Sequence, residues 1–321
     1  MDHIIESLNG TWLLAWDQTG MHSVPVSFSG LQSSDLPKTD ACVPGNFELD
    51  LERAGILPEI YFGKNVLKVQ EYESATVIYG RRFEWNTPVT GREELVFEGA
   101  DTFMSVYLNG KLLGHTDNAL IQHRLLLQGL IQGCNEIVCV FHSCIQEAAK
   151  HRPPASLRHL EYGYESLYVR KAPSAYGWDI MPRTVSCGLW RDVYIEVKPE
   201  QRIENIYLYT ASVSAGQAEL CLYYDLTVRN IRSCSLILEG TCGESSFRHQ
   251  IRPRWLSGNA LFTVSSPLLW WPRGYGDPNL YRCVLSLYDQ DTLVDSKEFT
   301  LGIRTIKPLF QRIKMSCLFE L

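Results

Sequence analysis

Little in this sequence points to a membrane, a nucleic acid or a metal. No apolar run approaches the ~20 residues that cross a bilayer as a helix, which excludes a membrane-spanning helix within it. The opening MDHIIESLNG lacks the basic-then-apolar layout of a secretory leader, so the expected address is cytoplasmic. Positive charge is in deficit: 30 Lys and Arg stand against 36 Asp and Glu, a net charge of −6. Nucleic acids and anionic lipid surfaces are held by basic faces, so neither is an expected partner. Metal-ligand spacing is absent as well. The ten cysteines come no closer to a cluster than Cys134, Cys139 and Cys144, with no Cys-x2-Cys among them. His115, His123, His142 and His151 fall at no ligand spacing. No metal and no cofactor is expected. Cys139 and Cys283 lie inside apolar runs, where a reduced thiol behaves as a small hydrophobe.

Helical periodicity is also scarce. What dominates is period-two alternation in short segments such as TVIYGRRFEW, FMSVYLNG, NEIVCVFHS, AELCLYYDLTV and YRCVLSLYD. They recur about every ten residues with turn signals between them, the pattern of β-sandwich architecture. Asn109-Gly110 between two apolar stretches predicts a tight hairpin. One short helix is expected around Leu49 to Ala54, ended by Gly55 and Pro58. Residues 144–183 form the one long irregular connection, which Pro153-Pro154 keep from continuing as a helix. Its wealth of Tyr, Trp and Arg argues against disorder, and long ordered loops are usually functional. A boundary falls near Val197-Lys198-Pro199-Glu200, followed by about a hundred residues with some seven strand candidates, the size of an immunoglobulin-like sandwich.

Three stretches, Val43 to Asn65, Leu95 to His123 and GCNEIVCVF, together resemble the sugar-binding jelly-roll domain of glycoside hydrolase family 2. LLWWPRGYGDPNLY and LGIRTIK resemble the end of that family's immunoglobulin-like domain. The resemblance implies a mostly β chain of two sandwiches. Residues 1–198 would be the jelly roll, 199–306 the immunoglobulin-like domain, and 307–321 a truncated tail where a catalytic barrel would start. VRKAPSAYGWDIMPRTVSCGLWRDVYIE, Val169 to Glu196, is similar to the β-mannosidase branch, whose pattern reads Arg-Lys, Trp-Asp-Trp-Gly-Pro, Gly-Ile/Leu-Trp-Arg. Here Ile180 stands where the branch has its second Trp, and Met181 where it has Gly. The likeness implies that Trp178, Asp179 and Ile180 reach a sugar pocket, with Asp179 accepting hydrogen bonds from sugar hydroxyls. Ile180 can neither stack as an indole does nor donate a hydrogen bond.

Retaining glycosidases need two carboxyl groups about 5–5.5 Å apart. The family carries them as glutamates on a barrel of ~250 residues, and fifteen residues, 307 to 321, follow the GIRT-type segment. The chain is therefore expected to hold no catalytic residue. Its partners would be a β-mannoside and the missing barrel domain, with a free-standing carbohydrate-binding module or a β-glucuronidase- or β-galactosidase-like specificity as alternatives. The Asn135-Glu136 pair copies the family's acid/base dipeptide in the wrong context, a turn before a strand. Read from its neighbours alone, Asp179 fits an ion pair with Arg170, Lys171 or Arg183, holding the loop in place, better than a sugar contact. Arg170 and Lys171 either orient Asp179 or cap the loop. Trp178 is a stacking wall or loop core. Trp190, alternating with strand residues, reads as core, and Trp270-Trp271-Pro272 as packing between domains.

Overall fold

A computed structural model describes residues 4–152, 163–310 and 317–320. Pro153-Pro154 lie outside the described residues. The chain divides into two compact units at Val197/Lys198.

The first unit runs β1 (Ile4–Ser7), β2 (Gly10–Asp17), α1 (Phe28–Ser33), β3 (Lys38–Val43), α2 (Phe47–Arg53), β4 (Thr76–Trp85), β5 (Glu93–Phe97), β6 (Ala100–Asp101), β7 (Phe103–Leu108), β8 (Lys111–Asp117), β9 (His123–Leu126), β10 (Gly133–His142), α3 (Cys144–Ala149), β11 (Gly188–Leu189) and β12 (Val193–Val197). One antiparallel sheet has the order β3-β2-β4-β10-β7-β8 and the other β1-β12-β5-β9. Alternate residues of both sheets turn inward, as a period of two requires. Trp12, Tyr79, Phe97 and Phe141 are among the largest wholly buried side chains. The β7–β8 hairpin turns at Asn109 (φ 49) and Gly110 (φ 77), the positive pair that a two-residue turn demands. The Asn109 amide is used at both ends: its Nδ2 donates to Gly129 O at 3.1 Å and to Asn135 Oδ1 at 3.0 Å, and its Oδ1 accepts from Glu136 N at 2.9 Å. α2 ends as its sequence predicts, with Ala54 capping and Gly55 at φ +72.

The second unit comprises β13 (Arg202–Ser214), β14 (Gln217–Thr227), β15 (Cys234–Cys242), β16 (Ser245–Ile251), β17 (Ser257–Ser265), β18 (Tyr281–Asp289) and β19 (Thr292–Leu301). They form sheets β13-β14-β17 and β16-β15-β18-β19 around a core of Leu220, Leu222, Leu236, Leu238, Leu285 and their neighbours. A final hairpin pairs 307–310 with 317–320. The fold class is thus mostly β, two sandwiches in series.

One tryptophan expectation needs correction. Trp190 is 40% exposed and not core. It lies over Gly99, where an added Cβ would sit 2.5 Å from the indole nitrogen, and Arg191 covers its ring at 4.3 Å. Strand alternation ends at Leu189, so the period that implied burial does not extend to Trp190. Trp270 is bonded through N to Ile303 O at 3.0 Å, and Arg304 covers its ring at 4.4 Å.

Candidate functional site

The segment from Gly163 to Cys187 keeps its shape without regular secondary structure because it has a small core of its own. Val169, Tyr176 and Val185 bury against Cys144 and Ala148 of α3. Two 3-10 turns, Tyr164–Leu167 and Pro173–Tyr176, take up the slack between them. Past Tyr176 the chain doubles back. Thr184 N donates to Ala175 O at 2.9 Å, Trp178 N to Met181 O at 2.9 Å and Met181 N to Trp178 O at 3.1 Å. Asp179 and Ile180 are therefore the two residues of a tight turn. Trp178 is 73% and Ile180 83% exposed, and Asp179 is exposed with them. Trp178 is not loop core.

The base of this projection is held by charge. Arg183 grips Glu73 with both Nε (3.0 Å) and Nη2 (2.9 Å), and reaches Glu165 at 3.0 Å. Its guanidinium lies 5.7 Å from the Tyr176 ring. Lys171 is almost wholly buried, ion-paired to Asp101 and donating to Ser186 O at 2.7 Å. Arg170 is exposed, and its backbone is fixed by a bridge to Asn118 and by Ala119 N donating to its carbonyl at 2.9 Å. Lys171 and Arg183 thus cap the loop. Neither pairs with Asp179, which forms no ion pair among the described residues. A carboxylate left free on an exposed turn, beside an exposed indole, can accept hydrogen bonds from a polyhydroxylated ligand.

Beneath Lys171 sits a group the sequence does not advertise. Glu48 opens α2 and reads as a surface acid, yet it faces inward between Phe47 and Leu51 and is 4% exposed. Burial raises its pKa; the Ser186 hydroxyl and the Lys171 charge oppose that rise without cancelling it. Ser186 stands near enough to favour the charged form, but among the described residues no donor reaches either carboxyl oxygen with full hydrogen-bond geometry. These oxygens border a small space of about 20 Å³ shared with Asp101, Ser186 and Cys187, room for one water molecule. Burial raises the Cys187 thiol too. Gly188 closes the region at φ +147; a Cβ there would stand 2.9 Å from Asn46 Cα and 3.0 Å from Tyr79 Oη. Sequence reasoning missed Asp101, Glu73 and Glu165, whose partners Lys171 and Arg183 lie 18 to 110 positions away, and Glu48, whose burial no local pattern reports.

The Asn135-Glu136 dipeptide is structural. Asn135 is buried, its Nδ2 donating to Ile131 O at 2.7 Å and to Gly133 O at 2.9 Å, and Glu136 faces Arg82 at 4.0 Å. Ser105 Oγ links His115 Nδ1 (3.1 Å) and His142 Nε2 (2.9 Å), an arrangement without a third ligand. Among the described residues no group of three or more His, Cys, Asp or Glu side chains could hold a metal, and the nine described cysteines are free.

Residues 27–191 match the glycosyl hydrolase 2 galactose-binding domain-like family, and residues 201–304 match glycosyl hydrolases family 2. The chain belongs to glycoside hydrolase family 2. Beta-mannosidase B of Thermothelomyces thermophilus is 29% identical over 289 residues, 84% of this chain and 32% of that protein. Beta-mannosidase B of Emericella nidulans is 28% identical over 296 residues, covering 86% and 34%. The crystal structure of a β-D-mannosidase from Dictyoglomus thermophilum superposes on the whole chain with a TM-score of 0.80 at 26% identity, over 38% of its own length. A β-glucuronidase from Ruminococcus gnavus shares the fold, with a TM-score of 0.65 at 15% identity over 99% of this chain and 46% of that one. The family 2 chain described here spans about a third of the length of the curated relatives it matches.

Proposed function

We propose that these two domains are the non-catalytic front part of a β-mannosidase-like glycoside hydrolase, and that the turn Trp178-Asp179-Ile180 is one wall of its sugar pocket. The observation that carries this reading is the contrast within one loop. Lys171 and Arg183 are tied to internal carboxylates, while Asp179 is left unpaired at the exposed tip beside Trp178. In this role Asp179 accepts hydrogen bonds from two hydroxyls of the sugar, and Trp178 offers its face to the sugar's C–H surface. Ile180 adds apolar contact only, which distinguishes this pocket from one lined by a second indole.

The tip positions the substrate and breaks no bond. Hydrolysis with retention needs two carboxyl groups about 5–5.5 Å apart, and the turn offers one. The pair would come from the barrel domain of the complete enzyme, acting on a terminal β-linked mannose. Ordered binding of this kind lowers the barrier by fixing the ring before attack. Free thiols throughout the described chain support a reducing, cytoplasmic setting.

Titrating methyl β-mannoside into the chain while following indole N–H resonances tests the proposal. The Trp178 signal should shift, and Asp179→Ala should remove the shift. An unchanged response in Asp179→Ala would sink the pocket-wall role. Turnover of p-nitrophenyl β-mannoside by the chain alone would sink the non-catalytic assignment.

A further inference from the structure

We propose that the outer face of the β13-β14-β17 sheet, on the second domain, is a separate binding platform for neutral oligosaccharides. The strand residues there fall into rows. Bulges at Ile203/Asn205 and Thr210/Ser212 bracket a regular stretch of β13. Within it Ile206 and Leu208 pack on the core, so Asn205, Tyr207 and Tyr209 stand on the opposite face. The register sets Tyr207 beside Tyr223 and Asn259, Asn205 beside Asp225 and Ser257, and Tyr209 beside Cys221 and Leu261. Tyr207 and Tyr209 have ring centroids 5.5 Å apart at 24°, and Tyr209 and Tyr223 6.1 Å apart at 15°. Three nearly parallel rings therefore run diagonally over two strands, with Tyr207 65%, Tyr223 45% and Leu261 58% exposed. Beside them an open groove of about 380 Å³ is lined by Asn205, Tyr207, Tyr223, Asp225, Ser257 and Asn259.

The chemistry of the rows selects the occupant. A pyranose presents an apolar C–H face and a belt of hydroxyls, and here an apolar row runs alongside a row of amide, carboxylate and hydroxyl groups. The Asn205–Asp225 contact, at 3.3 Å, is long enough that both groups keep capacity for a ligand. A protein partner would desolvate those polar groups at the centre of its contact, where interfaces are depleted of charge. A polyanion is disfavoured by Asp225 and by Glu219 farther along β14, with no Lys or Arg among the residues lining the groove. The rows span three strands, about 10 Å at the usual strand spacing, which suits a short stretch of a linear glycan. This site lies on a different domain from Asp179 and goes beyond the pocket-wall reading.

Calorimetry with β-1,4-mannotetraose and cellotetraose, run on the Asp179→Ala chain so that only the second domain is read, tests it. Saturable binding to at least one oligosaccharide is expected. Tyr207→Ala/Tyr223→Ala should weaken that binding about tenfold through loss of two ring contacts, and Tyr207→Phe/Tyr223→Phe should largely retain it. Circular dichroism identifies any variant that fails to fold, and Asn259→Ala then replaces it as the probe of the groove. No binding by the Asp179→Ala chain, or undiminished binding by the tyrosine-to-alanine variant and by Asn259→Ala, would overturn the proposal. So would loss of self-association in the tyrosine variant in place of lost sugar binding, which would give the face to a second copy of the chain.

Discussion

Replacing Lys171 with methionine should destabilise the first domain far more than a surface charge substitution would. Lys171 is nearly inaccessible and is paired to Asp101, whose side chain is 16% exposed. Removing the ammonium leaves a largely desolvated carboxylate with, among the described residues, only the Thr102 hydroxyl as a side-chain partner, and strips Ser186 O of its donor. Breaking a buried ion pair from one side costs about 3–5 kcal/mol. Glu48 adds little to that cost, because burial already favours its neutral form and the loss of a nearby cation favours it further. With a urea m-value of about 3 kcal/mol per molar, the midpoint should fall by about 1–1.7 M. Tryptophan fluorescence is a suitable probe, since the deeply buried indoles, Trp12, Trp16 and Trp85, all belong to the first domain. Adding Asp101→Asn removes the stranded charge, so the double variant should be more stable than Lys171→Met by about 1 kcal/mol or more. A shift below about 1 kcal/mol for Lys171→Met, or a double variant weaker than the single, would refute the view of Lys171 as the buried anchor of the loop.

Further outcomes follow from the same region. Glu48 holds its proton more tightly folded than unfolded, so its contribution is complete below its ordinary pKa of 4.5 and is lost as pH rises through the higher folded value. The stability of Glu48→Gln relative to the natural chain should therefore increase from pH 4.5 upward in urea titrations, and a pH-independent difference would contradict the assigned burial cost. Gly188→Ala should cost more than about 1 kcal/mol, since its Cβ would meet backbone atoms of Asn46 and Gly45; an unchanged melting temperature would show that the crossing is looser than described. On the acid side, Asp17 accepts from Thr19 N, Thr19 Oγ1 and His22 N, which outweigh burial and hold its pKa below the ordinary 3.8. Stability from Asp17 is present above 3.8 and fades as pH falls through the lower folded value, so Asp17→Asn should flatten acid unfolding in that range.

Local chemistry was legible in the sequence wherever it is local in space. Alternation marks strands because side chains point to opposite faces with a period of two, and Asn109-Gly110 marks its turn because both residues tolerate positive φ. α2 was readable from its Gly55 stop. The same local pattern failed at Trp190, where the strand had already ended and exposure was set by a neighbour, Gly99, more than ninety positions away in the chain.

The candidate site shows where that legibility stops. The sequence by itself determined two β-sandwiches, the family, and an aromatic, arginine-rich loop with Trp178-Asp179 in it. Only the tertiary structure decided which charges are spent and which are free: Arg183 finds Glu73 at a separation of 110 residues, and Lys171 finds Asp101 at 70. It also turned Glu48 inward and set the three tyrosines of the second domain nearly parallel. The physical reason is that propensity and periodicity act between near neighbours along the chain. The partner of a charge, and the solvent left to it, depend on which distant strands the fold has brought alongside.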